Sequence, residues 1–389
     1  MGITSRYEYL NQIQHRYHCA SKTQKKSILD EFCAVCNYNR KYAIRLLKSP
    51  AKRSLSKNLS KRGRKKTYHD PLLLEVLWKI WITANHPCAK RLKALLPLWL
   101  PYFDFFIIPQ PILAQLSTIS AATIDRILAP RRCKFLCQGR TTTKPGSLLK
   151  THIPVKTNQW DETIPGFIEA DSVAHCGTST AGQFVYTINC VDIASGWTEQ
   201  RAVWGKGERG VLAAIGHIEH TLPFQIKGFD CDNGSEFLNW HLIRFLTERK
   251  PPVQFTRARA YHKNDNAHIE NKNWTHVRQL LGYDRFENPE LVPLLNDLYT
   301  SQWHDFFNFF IPSVKLIAKE HKGSKTFKTY DQPQTPVQRL LRSPHLSPDT
   351  KNLLQQKLQQ LNPFHLEKEM SSKIKIIFKY VYNSKKQTP

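Results

Sequence analysis

Acidic residues are the first shortage: 31 Asp and Glu stand against 57 Lys and Arg in 389 residues. The deficit is concentrated, because residues 1–150 hold 7 acids beside 28 bases, whereas residues 151–389 hold 24 beside 29. A net charge of +26 overall, most of it in the first 150 residues, excludes an ordinary balanced surface and points to a polyanionic partner. Nucleic acid fits that requirement, since neutralising phosphates releases counterions and drives binding. Long apolar runs are also missing. No stretch reaches the roughly 18 residues of a membrane-crossing helix, and the opening MGITSRYEYLNQIQHRYHC has no apolar signal-peptide centre. Position 6 is Arg, where a myristoylation signal carries Ser or Thr. The expectation is a chain that neither enters a membrane nor is secreted. Cysteines number nine, an odd count at scattered spacings, which excludes a disulfide framework and suits a reducing cytosol. Two histidines and two cysteines, His15, His18, Cys33 and Cys36, have the composition of a zinc site. Against it, Ile28, Leu29, Phe32 and Cys33 recur at helical spacing, so these cysteines read as small apolar core residues.

Apolar material, by contrast, is ample: 41% of residues, with 20 Phe, 14 Tyr and 9 Trp, exclude a disordered chain. The length predicts two or three domains. Residues 1–48 read as short helices, with Ser27 placed to cap ILDEFC and a second helix over RKYAIRLLK. On that second helix Ala43, Leu46 and Leu47 turn inward while Lys41, Arg45 and Lys48 share another face. Helix, short turn and basic helix outline a helix-turn-helix-like DNA-binding domain, with these three residues as base-reading candidates. A basic linker follows over 49–69. The run from Lys48 to Lys66 has nine bases and no acid, and Arg62, Arg64, Lys65 and Lys66 are phosphate-contact candidates. Residues 70–132 return to helical patterning, with Ser120 placed to cap a helix ending in Arg131 and Arg132. They read as a second helical DNA-binding domain. Residues 133–160 are a basic connector.

From about residue 161 the pattern changes. GFIEAD, QFVYTINCVDI and WTEQRAVW are three strand candidates, and helix ERGVLAAIGHIEHTL, strand FQIKGFD, helix EFLNWHLIRFLTER and strand VQFTRA follow. Three strands followed by alternating helix and strand predict an α/β core over 161–320, with a helical and basic tail over 321–389. Three acids stand at element ends: Asp171 closing the first strand, Asp232 just after the fourth, and Glu270 in DNAHIENKNWTHVRQLLGY. Carboxylates are what hard divalent cations require, and a metal pair can activate an attacking oxygen and stabilise a leaving one in phosphoryl transfer. Two neighbouring acids compete for these roles, since Glu169 and Asp230 lie two residues before Asp171 and Asp232 on the same side of their strands. Glu236 reads as the opening acid of a helix. Asn266, Asn273, Trp274 and Val277 share the face of Glu270, and Trp274 reads as core in preference to a base-stacking platform. Arg259 and Lys263, on the approach to that helix, are phosphate-contact candidates.

These residues carry a resemblance. Strand-Asp, strand-DNGSEF and helix-Glu resemble the DDE catalytic core of the retroviral integrase and insertion-sequence transposase superfamily. The stretches GFIEADSVAHCG, GFDCDNGSEFLNWHLIRFL and QFTRARAYHKNDNAHIENKNWTHVRQLLGY are similar to its bacterial branch. Asp232 and Glu270 have 37 residues between them, near the family's spacing of roughly thirty-five. The resemblance covers 161–289 strongly, the helical front more weakly, and Thr335–Leu341 faintly. It implies an RNase H-like fold, a mixed five-stranded sheet flanked by helices, behind an all-α front. It further implies that Asp171, Asp232 and Glu270 hold two Mg²⁺ or Mn²⁺ ions, with Asn233 and Gly234 forming a tight turn beside them. The activity implied is metal-dependent cleavage at element ends and strand transfer into double-stranded target DNA, by a homo-oligomer in the bacterial cytosol, associated with the nucleoid. Two departures from retroviral integrases stand out: a front without a convincing zinc module, and no small β-barrel evident after the core. A chain that keeps DNA binding as a regulator but has lost catalysis is the competing expectation.

Overall fold

A computed structural model describes residues 2–49, 67–132, 163–232, 234, 236–257, 267–322 and 325–387. The chain divides into two compact units, Met1–Thr67 and Tyr68–Pro389.

The first unit holds three helices: α1 (Ile3–Cys19), α2 (Lys22–Cys36) and α3 (Arg40–Lys48). They close over Leu10, Ile13, Tyr17, Ile28, Leu29, Phe32, Cys36, Ala43 and Leu47. Helix α2 begins earlier than Ser27. Ser21 is its N-cap, and Ser21 and Gln24 form a reciprocal capping box that satisfies two backbone donors. Asn37 ends α2 in the left-handed conformation, and the Asn39 side chain starts α3 by accepting from the Lys41 amide at 3.0 Å. Cys36 is fully buried, and His15 and His18 are exposed. Among the described residues no three His, Cys, Asp or Glu side chains are grouped to hold a metal.

The second unit is built around a five-stranded sheet: β1 (Phe167–Ala174), β2 (Val185–Asp192), β3 (Thr198–Trp204), β4 (Gly228–Cys231) and β5 (Gln254–Arg257). The strand order is β3-β2-β1-β4-β5. The pairs β1–β2 and β2–β3 are antiparallel, and β4 and β5 run parallel to their neighbours. Helices α8 (Glu208–Thr221) and α9 (Trp240–Thr247) carry the chain between strands and fill one face with Val211, Ile215, Ile218, Leu242 and Leu246. This is the RNase H-like arrangement: a meander of three strands continued by two parallel strands through helical crossovers. The free edge of β3 is covered, since Asn308 bonds both backbone groups of Thr198 and Asn296 both groups of Ala202. Paired edges do not recruit other strands.

The opposite core gathers distant segments. Helices α4 (Pro71–Thr83), α5 (Ala89–Trp99), α6 (Gln110–Thr118) and α7 (Ala121–Arg132) bury Leu73, Ile80, Leu92 and Leu128 in one cluster with Val173, Trp197, Tyr299 and Trp303. Trp99 is the pin: fully buried, it donates its indole N–H to the Phe310 carbonyl at 3.2 Å and meets the rings of Phe306 and Phe364 edge-on. The helices of 70–132 therefore belong to the same compact unit as the sheet. At the end of α7, Arg131 pairs with Glu75 and Arg132 with Asp125. Beyond the sheet lie α10 (Ala267–Lys272), which continues through a π-helical segment (Asn273–Arg278) into α11 (Gln279–Leu281), and α12 (Leu291–Leu298). A hairpin, β6 (Leu316–Lys322) and β7 (Lys325–Tyr330), straddles the boundary expected at 320. Helices α13 (Pro336–Arg342), α14 (Pro348–Gln360) and α15 (Pro363–Gln387) then return Val337, Leu340, Met370 and Ile377 to the core. Among the described residues no single helix is long and apolar enough to cross a membrane.

Candidate active site

Strands β1 and β4 lie side by side in parallel, pairing Glu169 with Asp230 and Ala170 with Cys231. One residue further on, Asp171 and Asp232 are neighbours where this ladder ends. Strand β1 itself continues to Ala174, because its antiparallel pairing with β2 extends from Asp171 opposite Asn189 to Ala174 opposite Tyr186. Asp171 thus closes one ladder and not the strand. Both carboxyls are half-buried. Burial, and then the charge of Asp232, hold the Asp171 carboxyl well above the usual carboxylate range. Asp232 is raised as well, by burial and by Glu236, against the pull of the Gly234 N–H and of Lys206.

A chain of amides fixes Asp171. Gln200 on β3 donates to Asn189 on β2 at 3.0 Å, Asn189 donates to Asn273 at 2.8 Å, and Asn273 donates to Asp171 Oδ2 at 2.6 Å. Gln200 and Asn189 are almost wholly buried. The Ser172 amide supplies a further donor to Asp171 at 2.7 Å. Strand polarity alone does not reveal Asn189 and Gln200 as parts of a site.

Asp232 is held by the Gly234 N–H at 2.9 Å. A Cβ on residue 234 would stand 2.8 Å from both Asp232 Oδ1 and the Glu236 carboxyl carbon, so the turn admits only glycine without moving a carboxylate. Gly234→Ala is expected to lower site activity by about 10²-fold, the scale of a misplacement near 1 Å. Its unfolding midpoint should stay near wild type, because what yields is the end of a side chain and not backbone. Activity and thermal melting measured on one preparation check both halves.

Glu236 does not open a helix. It lies in the turn before α9, whose N-cap is Asn239, accepting from the Leu242 amide at 2.9 Å. Asparagine is the stronger cap, and the helix it starts begins at Trp240, four residues after Glu236. Glu236 is 5% exposed, accepts from the Ser172 hydroxyl at 2.5 Å, and has Lys206 Nζ at 3.7 Å. It adds a third negative group beside Asp232, with a lysine at its rim.

The neighbouring acids have structural partners. Glu169 accepts from the Ile269 amide at 3.2 Å, in the first turn of α10, and Asp230 accepts from the Thr256 hydroxyl at 2.6 Å. Glu169 and Asn273 together fasten α10 and its continuation onto β1. Glu270 rides on that helix one turn before Asn273, on the same face, and is exposed. Among the described residues no three acid, His or Cys side chains converge closely enough to hold a metal, so Asp171 and Asp232 are brought together and Glu270 is not drawn in with them. Repulsion between close carboxylates opposes such convergence. Trp274 is 38% exposed, and Val277 and His276 enter the core instead. The π-helical i→i+5 bonding of this segment shifts the helix phase away from the α-helical spacing that places Trp274 inside.

In the first unit, Lys41, Arg45 and Lys48 are exposed on α3 opposite buried Ala43 and Leu47, with the Arg45 guanidinium over the Tyr42 ring. Arg62, Arg64, Lys65, Lys66, Asn233, Arg259, Lys263 and Asn266 lie outside the described residues.

No protein-family model matches the chain. It is 35% identical over 344 residues to the uncharacterized protein y4rM of Sinorhizobium fredii (strain NBRC 101917 / NGR234), spanning 87% of this chain and 96% of that one. Among solved structures it is similar to the catalytic core domain of BIV integrase at 14% identity, over 46% of this chain and 96% of that one, with a TM-score of 0.29. It is also similar to the HTLV-2 integrase catalytic core domain in complex with magnesium, at 16% identity over 39% and 91% of the two chains, with a TM-score of 0.28.

Proposed function

This chain belongs to one family with the Sinorhizobium fredii protein just compared, and we propose that it is a DNA transposase or integrase of the DDE type. The observation that carries the reading is the Asp171–Asp232 pair. Two half-buried carboxylates stand where parallel β1 and β4 part, each fixed by donors, inside a chain of net charge +26. Ligand sites of open α/β sheets form at such strand ends. Carboxylates alone would repel the phosphate they face, so an acid pair in a DNA-binding chain suits a divalent cation. The donor set fits one, since hard oxygen ligands from a few carboxylates are what Mg²⁺ or Mn²⁺ takes. Asp171 and Asp232 would hold it, and Glu270, which stands apart from the pair, would complete the set only by moving in toward them. Bound there, the ion would lower the pKa of an attacking water or 3′-hydroxyl and offset phosphate charge.

The remaining groups bind and orient. Asn273 and the Gly234 amide keep the two carboxylates in place, and Lys206 sits at the rim where a phosphate would approach. Lys41, Arg45 and Lys48 on α3 would read the element ends in the major groove. Arg62, Arg64, Lys65, Lys66, Arg259 and Lys263 would follow the backbone of double-stranded DNA. Cutting and joining two ends calls for a homo-oligomer, acting in the cytosol.

The test incubates the purified chain with duplexes bearing the ends of its own element, a supercoiled plasmid, and Mg²⁺ or Mn²⁺. Strands nicked to a free 3′-hydroxyl and joined to the plasmid are expected. Retention of the duplex with neither nicking nor joining in either metal overturns the reading and leaves a DNA-binding regulator.

A further inference from the structure

We propose that Arg91 anchors one phosphate of duplex DNA, seated at a small cavity between the start of α5 and the π-helical continuation of α10. The proposal rests on the reading above in taking duplex DNA as the partner, and it places a contact on the sheet-bearing unit itself. Asn85, Arg91, Thr275, His276, Gln279 and Phe307 line a cavity of about 20 Å³. That is room for a single atom the size of a water oxygen. The walls are tied to one another. Gln279 donates to the Asn85 carbonyl at 3.2 Å, and the Asn85 side-chain amide donates to the Thr275 carbonyl at 3.5 Å. His276, 4% exposed, stacks on Phe307 with ring centroids 4.0 Å apart.

Donors and charge at this cavity are both in excess. The ring nitrogens of His276 are engaged, Nδ1 with the Thr275 hydroxyl at 2.8 Å and Nε2 with Lys272 Nζ at 3.4 Å. Lys272 also donates to the Gly196 carbonyl at 3.3 Å. A guanidinium is all donor and no acceptor, and among the described residues none of the Arg91 donors is spent in a hydrogen bond or an ion pair. The walls, residues 84–93, 271–279 and 306–311, contain no Asp or Glu, while Lys90, Arg91, Lys93, Lys272 and Arg278 stand among them. Burial, and then the charges of Arg339 and Arg91, work against the Lys272 ammonium. Cations drawn together out of water call for a counter-charge, and among the described residues no carboxylate pairs with Lys272 or Arg91. Lys90 and Lys93, exposed on the same helix, extend the positive rim.

Size selects the kind of anion. A cavity that admits one oxygen cannot enclose a whole free phosphate. It suits a non-bridging oxygen of a phosphodiester, whose remaining atoms stay outside with the strand, and the planar fork of arginine matches phosphate oxygens in pairs. The helix that supplies His276 and Lys272 also carries Glu270, and Asn273 on it donates to Asp171 at 2.6 Å. A strand anchored at Arg91 is therefore held in register with the acid pair.

The test uses the full chain with Arg91→Gln, beside a control with Lys375→Gln on an exposed position of α15. Duplex affinity is measured from about 50 to 200 mM salt, the range over which phosphate contacts are resolved. Arg91→Gln should lower the slope of log affinity against log salt by about 0.9, the amount for one phosphate, and the control should keep the wild-type slope. In duplexes carrying single neutral methylphosphonates, one position should weaken wild type and leave Arg91→Gln unaffected. Because Arg91 has no partner in the chain to lose, the variant should melt no lower than wild type without DNA. An unchanged slope, or an equal fall in the control, overturns the proposal. A melting point that falls with the slope makes Arg91 structural and overturns it too. So does protection of wild type, and not of the variant, against melting by inorganic phosphate with the DNA slope unchanged, which puts a free anion in the cavity. If wild type binds duplex but joins no strands, the transposase reading falls and the anchor is still judged by its slope. Strand joining with an unchanged slope in the variant keeps that reading and removes the anchor. If wild type does not bind duplex, both fall.

Discussion

Asp171→Asn and Asp232→Asn are each expected to lower metal-dependent strand cleavage by about 10³-fold or more, while duplex binding changes little. The scale follows from what the residues do. Loss of a group that merely orients a metal ligand typically costs about 10–100-fold, and loss of the ligand itself should exceed that. Binding should persist because the lysines and arginines proposed to meet phosphate lie elsewhere. A variant that keeps wild-type strand transfer in Mg²⁺ removes its residue from the site. A stability readout accompanies the activity one. Both carboxyls are held above the ordinary range, so the folded chain binds their protons more tightly than the unfolded chain does. Stability then falls as pH rises from the ordinary carboxylate range, about 4, upward through the raised one. Melting followed against pH in a chelator should show that decline in wild type and a shallower one in either Asn variant. A steeper decline in the variants would mean that the pair is not the source.

Trp99→Ala is expected to destabilise the second unit by about 3–5 kcal/mol, the range for truncating a buried aromatic. The indole is fully buried and reaches helices on both sides of the chain's long middle region, through Phe310, Phe306 and Phe364. Its loss leaves a cavity and an orphaned Phe310 carbonyl together. The informative feature is which signals move. Because α4–α7 share their core with Trp197, Tyr299 and Trp303, helix loss and sheet loss should shift to lower denaturant in step. Were 70–132 a separate domain, the sheet transition would stay where it is while the helical one moved.

The parts of this fold legible in the sequence are those whose local pattern has a single solution. Strands β1, β2 and β3 alternate around the ASG turn, and the strand ends place Asp171 beside Asp232, whereas the spacing from Asp232 to Glu270 does not show that Glu270 stands apart from the pair. Helices over 70–132 were legible as helices, yet an amphipathic stripe states that a face is buried and not against what, so their shared core with α12–α15 was hidden. Ser27 and Glu236 mislead for one reason: a stronger cap, Ser21 with Gln24 in one case and Asn239 in the other, takes the helix start elsewhere. The β6–β7 hairpin escaped because LIAKEHK and KTFKTY do not alternate apolar with polar. Trp274 escaped because a π-helical turn breaks the 3.6-residue count on which its placement depends.

The three amides behind Asp171 carry a consequence for how this chain can diverge. Gln200, Asn189 and Asn273 each donate to the next, from three different elements, and at least the first two are sealed from water. Changing any one strands a polar neighbour in the interior, at a cost of about 1–3 kcal/mol. Changing all three to apolar residues of like shape costs less, but leaves Asp171 without its outermost donor. Descendants of this chain should therefore keep the trio whole or lose it in a burst. Positions 200, 189 and 273 are expected to be inherited as a single trait, although 84 residues separate the last two.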